Sequence, residues 1–446
     1  MIVGIYLLNN SIFIKYIWTK LLLCVKIAII VKLAVKYMRH IHKIFYENNA
    51  SDFEEIYIKR LNYDSAIRLG ISIKPMSQPR IYELYYVPSS KMINLVGKLH
   101  KISNEFMGTF NELPQIARKQ FINECLVEEL YSTNELEGIK SSREEIAKST
   151  KDVILNKNSK KRFESMIRSY YRLLNNDYEF PSSPQDIRKI YNDITNGEID
   201  QQELPDGEIF RKEATYIMNK SVSGKVVHQG ITPESEIVNT IEKLLHFMNK
   251  NDEVPNVIKV AVGHYYFGYI HPFYDGNGRT SRFMSSMYLS KDIGNIPSLS
   301  LSRGCNKFKK KYHEAFETTN SMRSKGEMNS FIENFLEITI DALKQMETEL
   351  KEKSQLLGIS LAKIKNDELM LGNMTKVHKD TMFVLAQNHF FDSGSGLAVK
   401  DLADILNKSE ATIRKVVEKL RDLSLIEQRG EKPAYFSVSK SYFETA

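Results

Sequence analysis

One run, His271-Pro-Phe-Tyr-Asp-Gly-Asn-Gly-Arg-Thr-Ser-Arg282, constrains this chain of 446 residues more than any other feature. Gly276, Asn277 and Gly278 permit a tight, partly left-handed turn, and an apolar helical pattern (Phe283, Met284, Met287, Leu289) begins straight after it. Successive N–H groups in such a turn point at one anion, which then sits at the positive end of the helix. Asp275, just before the turn, is a candidate ligand for Mg²⁺, which usually takes one or two protein carboxylates together with phosphate oxygens. Arg279 and Arg282 are three apart, so on a helix they share a face, where two guanidinium groups repel unless an anion lies between them. His271 is the one group in the run that accepts a proton near neutral pH, which makes it the natural general base for an attacking hydroxyl. Pro272 and Phe273 are expected to anchor the loop in the core. Singly these pieces are ordinary turn composition. In this order they describe a site for a nucleotide polyphosphate.

The run resembles the signature of the Fic family, HPFx[DE]GN[GK]RxxR, at every specified position. The resemblance implies transfer of AMP from ATP to a Tyr, Ser or Thr hydroxyl of a protein, with His271 as the base and Asp275 as the Mg²⁺ ligand. Gly276, Asn277 and Gly278 would cradle the α- and β-phosphates, Arg279 would hold the β/γ side and Arg282 the γ-phosphate. Glycine at 278, where a phosphate-transferring branch carries lysine, favours AMP. A second segment, Thr133-Asn-Glu-Leu-Glu137-Gly138, resembles the inhibitory pattern [ST]xxxE[GN] of self-restraining family members. It implies that Glu137, with Thr133 and Gly138 around it, pairs with Arg282 and withdraws that arginine from the γ-phosphate. The reverse reaction, removal of AMP, is also implied. The stretch from Pro114 reads as a helix with an apolar stripe (Phe121, Ile122, Cys125, Leu126, Leu130), ended by Gly138. Glu137 then stands at the wrong end of the helix dipole for a carboxylate, and a partner cation would relieve it. Without that partner it is an exposed helix-end glutamate.

Between the two segments, Phe210 to Met218, a turn over Ser221 to Lys225 and Val226 to Gln229 read as strand, turn, strand. This resembles the Fic flap, near 209–229, whose edge can pair with an extended target. Thr215, Tyr216, Ile217 and Met218 would line the nucleotide. A hairpin that only covers the core is the other reading.

Elsewhere helical periodicity dominates from Lys91 to Leu371, so the fold class is mostly α: a Fic-type helical core with a small β-hairpin flap. Turn clusters break it at 175–183 and 196–207, and 71–90 reads as loop-rich because of Pro75, Pro79 and Pro88. The expected division is an N-terminal extension over 1–45, a variable segment over 46–113, the inhibitory helix and core over 114–350, a helical linker over 351–375 and a C-terminal domain over 376–446. The extension lacks acidic residues and is rich in Ile, Leu and Val, but Lys26 splits its most apolar stretch, so stable membrane insertion is not expected. A non-native or dispensable extension, a basic membrane-surface helix and packed structure are all open readings for it. In the C-terminal segment three helices and a hairpin resemble a winged helix-turn-helix, with Thr412, Arg414, Lys415 and Lys419 on the exposed side of the third helix. Asp401, Asp404, Glu418 and Glu431 dilute that face, so duplex DNA and a docking protein are equally open as partners, as is a second copy of the chain. A DNA-binding regulator whose core senses ATP or modifies itself is the alternative function. With 42% hydrophobic and 26% charged residues the composition is that of a globular protein, and a net charge of +7 is mild for this length. Cys24, Cys125 and Cys305 are too few and scattered for a disulfide framework, which points to the cytoplasm.

Overall fold

Helices carry most of the chain in this computed structural model, which describes residues 39–76, 78–154, 162–218, 226–372, 374–391 and 396–444. Residues 1–38 of the expected extension, with Cys24, and residues 219–225, which include the expected flap turn over 221–225, lie outside the described residues. Two units emerge: residues up to 93 together with 314–331, and residues 94–313 together with 332–446.

In the first unit, α1 (Ile41–Phe45) and α2 (Ala50–Leu61) precede an antiparallel pair, β1 (Ile67–Ile73) and β2 (Tyr82–Tyr86). Ile41 and Ile44 are fully buried, so the end of the apolar extension is packed structure. The Asn49 side chain caps α2 by accepting from the Asp52 N–H at 2.9 Å. Ile67 pairs with Tyr86 and Ile73 with Tyr82, which corrects the loop-rich reading of 71–90. Leu69, Ile71 and Ile73 alternate into the core, and this period of two outweighs the prolines, which fall in the connection and beyond β2. Arg60 and Glu327, both almost wholly buried, pair at 2.5 Å.

The second unit takes α3 (Ser90–Glu112) from Asn94 onward, then α4 (Gln115–Glu137), α5 (Arg143–Ile154), α6 (Glu164–Leu174) and α7 (Pro184–Thr195). A short hairpin, β3 (Tyr216–Met218) and β4 (Val226–Gln229), separates these from α8 (Glu234–Asn249), α9 (Asn256–Ile270) and α10 (Asn277–Ile293). Strand structure starts only at Tyr216; Phe210 to Thr215, expected as strand, is irregular. Helix α9 is buried on nearly every face, from Val257 to Phe267 and again at Tyr269 and Ile270, as expected of a helix that is apolar all round. Its neighbour α10 is almost as enclosed, and the run 271–276 is the short connection between them.

Helices α11 (Asn295–Ser298), α12 (Leu301–Lys307) and α13 (Lys309–Thr319) follow, and then α14 (Asn329–Asn366) and α15 (Glu368–Gly372). The expected linker is thus mostly a continuation of α14, because nothing in its Lys- and Glu-rich sequence stops the helix before Asn366. The C-terminal elements are α16 (Lys376–Phe391), β5 (Leu397–Ala398), α17 (Val399–Leu406), α18 (Glu410–Asp422), β6 (Ile426–Arg429), β7 (Tyr435–Val438) and α19 (Lys440–Glu444), with strands ordered β5-β7-β6. They are not separate from the core. Phe391 meets Phe121 of α4 edge to face with centroids 6.2 Å apart, and the Gln387 side chain accepts from the otherwise orphaned Ala117 N–H at 3.3 Å. Burying each ring contributes about 2 kcal/mol. Among the described residues no helix is long and apolar enough to cross a membrane, and Cys125 and Cys305 are buried free thiols.

Candidate active site

Helix α9 stops at His271, whose φ of 51° places it in the left-handed region and turns the chain sharply before Pro272. Phe273 is fully buried, stacked on Tyr191 of α7 at 3.8 Å between centroids and edge-on to Phe210 at 5.5 Å. The Asn277 side chain braces the same loop, accepting from the Phe273 N–H at 3.0 Å and donating to the Phe273 carbonyl at 2.7 Å. Asn277 therefore offers an anion only its backbone. Gly276, at φ 80°, caps α10, and the first backbone bond of that helix is from the Thr280 N–H to the Gly276 carbonyl. The N–H groups of Asn277, Gly278 and Arg279 precede it and form the positive end of α10.

Arg279 and Arg282 share one face of α10, and both are 1% exposed. They differ in their partners. Arg279 reaches Asp275 only loosely, Nη2 to Oδ2 at 3.4 Å, and its Nε and Nη1 are buried without a hydrogen bond. Burial pulls its pKa down. A buried guanidinium with two idle donors fits a phosphate. Asp275 is half exposed and takes the Gly276 N–H at 2.5 Å. No cluster of three or more His, Cys, Asp or Glu side chains with metal-binding geometry occurs among the described residues, so a cation at Asp275 would draw its other ligands from water and phosphate.

Arg282 is held by α4. Its Nε donates to Thr133 Oγ1 at 2.9 Å, and its Nη2 donates to the Thr133 carbonyl at 3.2 Å and to Glu137 Oε1 at 2.6 Å. Gly138, in the left-handed region at φ 79°, ends α4 directly after Glu137. Burial alone would raise the Glu137 carboxyl, but the charge and hydrogen bond of Arg282, with Arg279 behind it, hold it below its ordinary value. The same pairing outweighs the effect of burial on Arg282 and raises its pKa. A Cβ on residue 278 would overlap Glu137 Oε1 and come within 2.9 Å of Arg282 Nη1, so this carboxylate lies against the end of α10 that suits an anion.

Sequence reasoning missed what fixes α4 there. Glu129, fully buried, accepts from Ser302 Oγ at 2.6 Å, the Ser302 N–H at 3.0 Å and Tyr170 Oη at 3.2 Å, which ties α4 to α12 and α6. Burial pushes its carboxyl up to about 7 against those bonds. A glutamate amid Leu126 and Leu130 gives no sequence sign that it faces inward.

His271 lies under the hairpin. Burial lowers its pKa to about 4, helped by the nearby His228 and Arg211, while a bond to the Gly268 backbone and the Glu137 charge act in the opposite sense. The ring is neutral at physiological pH and able to accept a proton. If it acts as a base, kcat/KM should stay level from neutral pH down to about pH 5 and then fall through a midpoint near 4. A pH–rate profile with its midpoint at the ordinary 6.5 would contradict this environment.

In the hairpin Tyr216 faces Gln229, Ile217 faces His228 and Met218 faces Val226, with a register shift between the last two pairs. Tyr216 and Met218 are exposed, while Thr215 and Ile217 are half-buried. His228 Nε2 donates to the Tyr269 carbonyl at 2.6 Å, and Tyr274 Oη donates to Asp206 Oδ1 at 2.9 Å. The hairpin is thereby stitched to the end of α9, and the loop before it to the run 271–276.

The Fic/DOC family model matches residues 181–289, which hold α7, the hairpin, α8, α9 and most of α10. A solved Fic family protein from Desulfovibrio desulfuricans G20 is 18% identical over 80% of this chain and 98% of its own, with a TM-score of 0.47. A Fic domain containing signaling protein from Bacteroides thetaiotaomicron VPI-5482 is 16% identical over 59% of this chain and 98% of its own, with a TM-score of 0.39. Fic-1 from C. elegans, residues 134–508, is 17% identical over 58% of this chain and 73% of its own, with a TM-score of 0.36.

Proposed function

We propose, from the match of residues 181–289 to the Fic/DOC family model, that the protein is a self-inhibited adenylyltransferase that moves AMP from ATP to a Tyr, Ser or Thr hydroxyl of a protein. The observation that carries this reading is Arg279, a buried guanidinium with two idle donors at the positive end of α10, one loop away from a neutral His271. The hydroxyl oxygen of the target forms a bond to the α-phosphorus as its proton passes to the imidazole, and the bond from that phosphorus to the bridging oxygen breaks, releasing pyrophosphate. The N–H groups heading α10 and Arg279 hold the phosphates and stabilise the charge that develops on them. Mg²⁺, when bound, neutralises phosphate charge, and Asp275 is the residue that would hold it. Glu137 restrains the reaction in this reading: it neutralises Arg282 and lies where a phosphate would approach Gly278. Mass spectrometry of cell lysate treated with the protein and isotope-labelled ATP tests the proposal. Labelled AMP on a protein hydroxyl supports it; its absence with both wild type and Glu137→Gly overturns it.

A second reading concerns residues 376–446. Three helices, the strand order β5-β7-β6 and the β6–β7 hairpin support a winged helix-turn-helix, with α18 presenting the exposed Thr412, Arg414, Lys415 and Lys419. Arg414 is engaged by Glu410 at 2.9 Å, which weakens the basic face. If this surface binds duplex DNA, affinity should fall steeply with salt, and Lys415→Ala should lower the slope of log affinity against log salt by about one phosphate contact. A titration without binding at low salt would leave the segment as a protein-docking module.

A further inference from the structure

Arg211 is fully buried, burial pulls its pKa down, and no carboxylate is among the charges that act on it. A guanidinium in that position is costly unless its donors are met. Its partners are backbone carbonyls from three separate segments. Nε donates to the His271 carbonyl at 2.9 Å, Nη2 to the Ile231 carbonyl at 2.8 Å and Nη1 to the Glu213 carbonyl at 2.5 Å, while its own N–H donates to the Pro272 carbonyl at 3.2 Å. Glu213 leads into β3 and Ile231 follows β4, so one side chain grips both legs of the hairpin and the loop that carries His271. The legs are also tied to each other and to α9, the Gly230 N–H donating to the Thr215 carbonyl and the Ile231 N–H to the Ile270 carbonyl, each at 3.0 Å.

The packing leaves no slack. A Cβ on Gly230 would overlap Arg211 Nη2 and come within 3.0 Å of Thr215 Cγ2 and 3.1 Å of His271 Cβ. His271 is a non-glycine residue at φ 51°, a conformation that costs on the order of 1 kcal/mol and persists only where its surroundings over-determine it. The bonds from Arg211 to the His271 and Pro272 carbonyls act on the two peptide units that follow that turn.

We propose that Arg211 is a positioning residue: it locks the left-handed turn at His271 and both legs of the hairpin into one rigid piece, so that a hydroxyl presented along the hairpin meets the imidazole at a fixed distance. This rests on AMP transfer as the reaction. Arg211 touches neither phosphates nor metal in this role, because those fall to α10 and Asp275. Its loss should therefore lower kcat and leave ATP affinity near wild type.

The test uses the full chain with Arg211→Gln, which removes the three-way grip, and Gly230→Ala, which keeps the arginine but displaces its Nη2. Both should lower kcat for AMP transfer by about 100-fold, the scale of a 1 Å misplacement, with the KM for ATP unchanged. Amide hydrogen exchange at Gly230 and Ile231 should quicken in both, while exchange within α10 stays as in wild type. Wild-type kcat in either folded variant, or unchanged exchange at those two amides, would overturn the inference. Inactivity of both wild type and Glu137→Gly, with hairpin amides that still loosen in Arg211→Gln, would count against the proposed reaction and in favour of the brace.

Discussion

His271→Ala should lose AMP transfer while binding ATP and Mg²⁺ almost as wild type does. The imidazole is one loop away from the groups proposed to meet the phosphates, namely the N–H groups heading α10 and the two idle donors of Arg279. Removing a positioned base typically costs about 10²–10⁴-fold in rate, and alanine leaves the hairpin's bonds to Tyr269 and Ile270 untouched. Asp275→Ala should behave in the opposite way. The carboxylate is half exposed and the one candidate hard ligand in the loop, so its loss should weaken Mg²⁺-dependent nucleotide binding first. Calorimetric titration of ATP with and without Mg²⁺, beside initial rates, separates the two. Equal loss of binding in both variants would show that His271 holds the nucleotide and does not act on the hydroxyl.

Glu137→Gly should raise self-modification well above wild type at saturating ATP and should lower stability in the absence of nucleotide. The reasons are the same contact. Arg282 is 1% exposed, and stripping the carboxylate from such a buried cation costs about 3 kcal/mol, less what Thr133 continues to accept. A triphosphate then supplies the missing negative charge, so thermal stability should recover with added ATP by more in the variant than in wild type. Adding Arg282→Ala should cancel the gain in transfer, because both changes act through one pair. Equal rates for wild type and Glu137→Gly would remove the restraint from this account.

The functional run was legible because its chemistry is local: a glycine turn, a carboxylate, a histidine and two arginines on one helical face all follow from adjacent residues. Helix α4 was legible in the same way, from its apolar stripe to its end at Gly138. The meeting of Glu137 with Arg282 was not, since 145 residues separate them and only the family resemblance linked the two. Arg211 and Glu129 were illegible for a more general reason. Nothing local distinguishes a buried charge satisfied by distant carbonyls or hydroxyls from a solvated one, because its partners come from Ile231 and His271 in the first case and from Ser302 and Tyr170 in the second. At β1 and β2 the prolines mask a period of two, whereas the helical character expected of the stretch after residue 350 follows from its Lys- and Glu-rich sequence and is seen in α14.

Transfer of the α-phosphoryl group with its nucleoside can be followed with position-labelled ATP. Purified Glu137→Gly should incorporate label from ATP marked at the α-phosphorus and none from ATP marked at the γ-phosphorus, with both signals absent in Glu137→Gly combined with His271→Ala. Incorporation of the γ-label, or α-label that persists without His271, would contradict the account.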